Sequence, residues 1–189
     1  MPTSRSGYEV KCSTVRAHLA QAEKLSVYPA VLEKLPAETR STLDALPLPT
    51  AWIDGMVLQD LMTAVDAVAG TETARQVSLR AAEGAITPLL MPVVGGLLRV
   101  FGATPNTLLS RFSDLVRTQL RGITFRWVLD EPRAGHLVVT FPRKHNRRAA
   151  FIGFETACEG VLRLCRLKGT VSASDITSDG SVGTIRVAW

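Results

Sequence analysis

Cysteine is scarce in this chain of 189 residues: there are three, Cys12, Cys158 and Cys165, and no CxxC pair. That excludes a disulfide framework and points to a reducing compartment. Cys158 and Cys165 lie seven apart, two helical turns or about 11 Å of rise, too far for a bridge or a shared metal. They read as small apolar fillers. Histidine is equally rare, with only His18, His136 and His145. None is spaced with Cys, Asp or Glu as zinc ligands are, so no metal is expected. The enzyme signatures GxSxG, GxxxxGK followed by Ser or Thr, and HExxH are all missing, which excludes the nucleophile elbow, the phosphate loop and the zincin helix. No long apolar run is present either. The longest uncharged stretch, 84–98, has fifteen residues and is interrupted by Pro88, Pro92, Gly95 and Gly96, whereas a membrane span needs about 20. Met1–Gly7 has no apolar segment behind it, so no signal peptide is expected and the chain reads as cytoplasmic.

What the sequence does contain is enough apolar residue to fold. Hydrophobic residues make up 46% and charged ones 21%, which excludes disorder as the dominant state. Lys plus Arg number 22 against 17 Asp plus Glu, a net charge of +5, far below the density of a polybasic protein. The mean hydropathy of +0.15 is high for a soluble monomer and points to a homodimer, one subunit covering apolar surface of the other.

The first two thirds read as helices. Val15, Leu19, Ala22 and Leu25 form one stripe in a helix over 9–25, followed by Leu32 and Leu35 and a short helix opened by Pro36-Ala37-Glu38. Asp54 caps a helix to about Ala69 with stripe Val57, Leu61, Val65 and Val68, Gly70 ends it, and Thr71 caps another through Glu83. Ala85–Phe101 reads as a helix bent at Pro88 and Pro92. Thr104-Pro105 starts a further helix to about Arg121 carrying Leu108, Phe112 and Leu115. Beyond Gly122 the period becomes two. Phe125, Trp127 and Leu129, then Leu137, Val139 and Phe141, make a hairpin with one apolar face. Phe151, Phe154, Cys158, Val161 and Leu162 restore the helical period, with Glu159 and Arg163 paired on its outer face. A second hairpin follows, with Asp179-Gly180 in a type I′ turn and Gly183, Ile185, Val187 and Trp189 alternating. The reading is a single α+β domain over 1–189: a mainly helical part, 8–121, packed on a C-terminal antiparallel sheet, 122–189, of strand-strand-helix-strand-strand order.

Few side chains point to chemistry. Glu155 and Glu159 could form a carboxylate pair only on a buried face, and the spacing places them outside. His18 reads as an ordinary half-buried helix residue, not a haem ligand. The basic run Arg143–Arg148 reads as a solvated loop, because its flanking Phe141 and Phe151 fall at core positions. No specific nucleic-acid binding is expected. An anionic protein partner is the lesser alternative for that loop.

Several stretches resemble an uncharacterised bacterial family heavily duplicated in myxobacteria. Val10-Lys11-Cys12-Ser13-Thr14-Val15-Arg16-Ala17 is similar to its strand-to-helix entry, and Leu35-Pro36-Ala37-Glu38-Thr39-Arg40 to its Leu-Pro-Pro-Glu-x-Arg helix start. Trp52-Ile53, Leu97–Gly102 with Pro105, and the ending Thr184–Trp189 match in position. That family resembles in turn vinyl-reductase-type sensor domains, haem–nitric-oxide-binding domains and vesicle-tethering subunits of the Bet3 type. The resemblance implies helices on an antiparallel sheet around an apolar cavity, and sensing or assembly in place of turnover. The haem branch's Tyr-x-Ser-x-Arg signature and the cysteine cluster of some vinyl-reductase-type sensors are absent, so no cofactor carries over.

The expectation is therefore a non-enzymatic sensory or regulatory module that binds a small apolar ligand. The alternative is a homodimeric protein-interaction domain with a closed core. The ligand-binding residues expected are Met91, Val94, Leu98, Phe112 and Leu115 from the helices and Phe125, Trp127 and Leu137 from the sheet. They would line a pocket of about 300–1,000 Å³.

Overall fold

The computed structural model of the chain describes residues 6–85, 104–142 and 148–189. Residues 86–101 of the expected bent helix, the site residues Met91, Val94 and Leu98 among them, and most of the basic loop (143–147) lie outside the described residues. The fold is α+β. Its first half contains β1 (Glu9–Lys11), α1 (Cys12–Lys24), α2 (Tyr28–Lys34), α3 (Ala37–Asp44), β2 (Trp52–Asp54) and α4 (Met56–Ala85). Two short helices follow, α5 (Pro105–Leu109) and α6 (Phe112–Val116). Then come β3 (Leu120–Arg121), β4 (Thr124–Glu131), β5 (Ala134–Thr140), α7 (Ala149–Leu164), β6 (Thr170–Ser174) and β7 (Val182–Ala188).

The strand-strand-helix-strand-strand order of the C-terminal part matches its expected form. All pairs in the four-stranded sheet are antiparallel, in the order β4-β5-β7-β6. One register row runs Trp127, Leu137, Ile185, Ala173 across the strands. Period two puts this row on the core face, where Leu137 and Ile185 are fully buried, and leaves His136, Arg186 and Ser172 on the other face.

A second, three-stranded sheet, β2-β1-β3, ties the chain's beginning to its middle. It also caps α1. The Cys12 and Ser13 N–H groups, which no helical carbonyl can serve, donate to the Ala51 and Pro49 carbonyls at 2.9 Å each. Asp54 performs its expected role, its Oδ1 accepting from the Met56 N–H at 2.8 Å. At Gly70 (φ 81, ψ 164) α4 bends, a conformation open to glycine. Thr71 does not cap there; its hydroxyl donates to Asp66 at 2.7 Å.

Two expectations need correction. The helix expected to run from Pro105 to Arg121 is broken after Leu109. Ser110 Oγ donates to the Thr107 carbonyl at 2.9 Å, and Leu120–Arg121 leave helical geometry to pair with Glu9–Val10. Thr104 does cap it as expected, accepting from the Thr107 N–H. In the last hairpin's connection Asp175 and Gly180 take positive φ, at 50° and 65°, while Asp179 does not, and the Gly180 N–H donates to the Thr177 carbonyl. The connection is thus a longer loop around Ser178–Asp179, not a two-residue type I′ turn, which would need positive φ at both central residues.

Apolar side chains gather in two clusters. One lies among α1 to α4 and includes Val15, Val31, Leu61, Val65 and Val77. The other lies beneath the large sheet and includes Leu108, Phe112, Leu137, Phe151 and Ile185. α7 serves both, giving Ala149 and Ile152 to the first and Phe151, Phe154 and Cys158 to the second.

Candidate functional site

A cavity of about 110 Å³ lies at the seam between the two clusters. Leu58 and Met62 of α4 form part of its wall, as do Leu115 and Val116 of α6 and the Phe141 and Phe154 rings. α7 turns small residues toward it: Ala149, Ala150, Gly153 and Ala157. A Cβ built on Gly153 would meet nothing within 4 Å. Space exists here because this helix face carries almost no side-chain volume.

Six polar side chains reach the same cavity: Tyr8, Thr14, His18, Gln59, Ser78 and Gln119. Most are satisfied within the fold. Thr14 Oγ1 donates to Gln119 Oε1 at 2.9 Å, and the Tyr8 hydroxyl donates to the Gly55 carbonyl at 2.8 Å. Burial pushes the Tyr8 phenol far up, and the nearby Asp54 and Asp60 carboxylates push it the same way. His18 Nδ1 lies 2.8 Å from the Thr14 carbonyl. A carbonyl only accepts, so Nδ1 carries the proton and Nε2 keeps its lone pair. Burial holds the His18 pKa below its ordinary 6.5, with the Thr14 carbonyl opposing part of that fall.

Gln59 differs from these. Its side chain is 4% exposed, and neither Oε1 nor Nε2 has a hydrogen-bond partner among the described residues. The amide lies near enough to the Tyr8 hydroxyl to counter part of the rise in its pKa, but the phenolic proton goes to Gly55 and no hydrogen-bond geometry connects the two. A buried amide left unserved costs about 1–3 kcal/mol.

Of the site residues expected from sequence, Leu115 lines this cavity. Phe112 and Phe125 meet edge to face at 5.2 Å within the sheet-side cluster. Leu137 is fully buried beside them. Trp127 stacks at the far end of its row near Trp189, at 6.4 Å, and its Nε1 donates to Asn106 Oδ1 at 2.8 Å. Sequence reasoning did not single out Gln59 and took His18 for half-buried, whereas it is 7% exposed. A signal was available: between Gly55 and Val65 the only charged residue is Asp60. A helix segment so nearly apolar all round is buried all round, glutamine included.

The carboxylate pair also needs correction. Glu155 is buried, not solvated. It lies four residues after Phe151 and three before Cys158, on the helix's apolar face. There it accepts from Arg75 and from the Ala173 N–H, each at 2.5 Å, and Arg75 also bonds Glu159. Arg163 reaches Glu83 of α4 at 3.1 Å instead of Glu159. These charges join α7 to α4 and β6 away from the cavity.

No family model matches the chain, and no curated protein does. Solved structures do. The unliganded Fe(II) H-NOX protein from K. algicida is similar over 94% of this chain and 95% of its own, with TM-score 0.63 and 13% identity. An H-NOX structure described for the function of heme distortion gives TM-score 0.61 at 14% identity over 95% and 94%. An oxygen-binding H-NOX domain related to soluble guanylate cyclases, in its oxygen complex, gives 0.59 at 13% over 94% and 92%.

That fold raises haem as a possible occupant, and the residues present do not fit it. No Arg or Lys is among the residues described as lining the cavity, so the described wall offers no cation to two propionates. Its volume of about 110 Å³ is below the roughly 300–1,000 Å³ that even drug-sized ligands occupy. The chain shares the H-NOX fold.

Proposed function

We propose that this chain is a non-enzymatic sensory module that binds a small, largely apolar molecule other than haem in the cavity between α1, α4, α6 and α7. The carrying observation is the cavity at the seam of the two clusters, with Leu58, Met62, Leu115, Phe141 and Phe154 in its wall. The fold supports the reading, since its solved neighbours include an oxygen-binding H-NOX domain. The size supports it as well: an engineered apolar cavity of about 150 Å³ binds benzene or xenon.

Position at the seam gives binding a consequence. Leu58 and Met62 belong to or pack on the helical cluster, while Tyr8, Val116, Phe141 and Phe154 belong to or pack on the sheet-side one. A molecule touching both stabilises one relative packing over others, which is the differential interaction a sensor requires.

Titration with benzene, followed by amide chemical shifts, tests the reading. Wild type should show saturable shifts at α7 residues facing the cavity. Gly153→Leu should abolish them by placing a side chain across the open space. The variant should still fold, since removing a helical glycine adds about 0.5–1 kcal/mol of stability. A wild type without saturable shifts overturns the proposal.

A further inference from the structure

We infer that β4 is a self-pairing edge strand. Two copies of this chain join β4 to β4, antiparallel about a two-fold axis at Val128, and their four-stranded sheets become one of eight strands. The inference is independent of the cavity.

The free edge follows from the direction of the backbone. In an antiparallel ladder each residue points its N–H and C=O to one neighbour, and successive residues alternate. The Phe141 N–H donates to the Ser181 carbonyl, just before β7, at 2.8 Å. Gly135, Leu137 and Val139, in step with Phe141, therefore face β7. His136, Val138 and Thr140 face β4, and their partners Val128, Arg126 and Thr124 face back. Phe125, Trp127 and Leu129 are left pointing outward. Ser113 of α6 donates to the Phe125 carbonyl at 3.3 Å, but the main-chain groups of Trp127 and Leu129 have no partner among the described residues. The opposite edge, β6, is blunted, because Glu155 takes its Ala173 N–H.

The side chains of β4 fit the same strand reversed. With the axis at Val128, Trp127 lies opposite the partner's Leu129 and the two exchange both main-chain hydrogen bonds; symmetry makes four. Leu129, 45% exposed in the single chain, is then covered by an aromatic ring. On the other face Arg126 lies opposite the partner's Asp130, again twice. Arg126 is exposed and has no ion pair among the described residues. Asp130 Oδ2 lies 2.7 Å from His136 Nδ1, which leaves Oδ1 for the guanidinium. Moving the axis by one residue puts Asp130 opposite Thr124 or Val128 and loses both charge pairs. Charges on an edge ordinarily discourage pairing; here their order along the strand admits a second copy.

Two strands of this length bury less than the about 1,200 Å² of a standard interface, so association is read by sedimentation equilibrium from about 10 µM to about 1 mM. Wild type should rise from 20.4 kDa toward twice that mass. Arg126→Asp and Asp130→Arg, both at exposed positions, should each weaken association by about tenfold or more, since each sets like charges opposite one another. An equimolar mixture of the two variants should associate again, because the mixed pair restores opposite charges at both places. In wild type alone, amide hydrogen exchange at Trp127 and Leu129 should slow as concentration rises, a readout that stands should either variant fail to fold. A mass of 20.4 kDa throughout, variants that associate like wild type, a mixture that does not recover, or exchange at these two amides indifferent to concentration would each overturn the inference.

Discussion

At His18 the proton sits on Nδ1, given to the Thr14 carbonyl, and burial disfavours a second. The native pKa is therefore below the ordinary 6.5. Above 6.5 both folded and unfolded forms are neutral, and the residue adds no pH dependence. As pH falls below 6.5, the unfolded chain takes up a proton that the native chain refuses, so stability drops by up to about 1.4 kcal/mol per pH unit until the native pKa is reached. Denaturant melts of wild type and His18→Gln at about pH 7.5 and about pH 5.5 should show the wild type losing more stability on acidification. Equal losses would refute a buried neutral imidazole. Neither His18 nor Gln59 was legible as a site residue in the sequence. Helical periodicity gives each a face, but which helices close over that face is decided by α7 and the 115–123 segment, distant in the chain.

The elements were more legible than the residues between them. Hydrophobic period two located β4, β5 and β7, and period 3.6 located α1, α4 and α7. Both signals are local and repeat over several residues. What failed was local pattern set against distant partners. Leu120–Arg121 continue an apolar helical stripe yet pair with β1, a strand more than a hundred residues earlier. Glu155 was misplaced for the related reason that α7 has no free face there: α4 packs on one side and β6 on the other. A buried carboxylate follows, with Arg75 and the Ala173 N–H as its partners. Glu155→Ala would leave that N–H unserved and Arg75 with Glu159 alone. Partial exposure of Arg75, at 23%, keeps the cost below that of a fully buried pair, so the loss should be about 2–3 kcal/mol in denaturant melts. Glu159→Ala, removing the more exposed partner, should cost less than about 1 kcal/mol. A reversed order of the two would mean that the Glu155 contacts do not hold α7 to the core.

At the scale of the whole molecule, the fold is shared with H-NOX structures while the described cavity wall carries its own residues. The path of the chain follows H-NOX structures at 13–14% identity, and so little shared sequence leaves a site free to differ while helices and sheet persist. Retaining a macrocycle needs a volume to hold it, cations or other donors for its carboxylates, and an axial ligand free to approach the metal. The described wall supplies no Arg or Lys, and its one imidazole is already anchored through Nδ1 to its own helix. Its room, about 110 Å³, is created by Gly and Ala on α7, a device that opens space by a methyl or two and not by a ring system. Protein produced with haem supplementation and then desalted should accordingly show no Soret band. Benzene added to the same sample should still produce its chemical-shift changes, because the apolar walls are intact without a tetrapyrrole. A Soret band at stoichiometric intensity, surviving desalting and weakened by His18→Ala, would instead mean that the helices part to admit haem and that His18 Nε2 is its ligand.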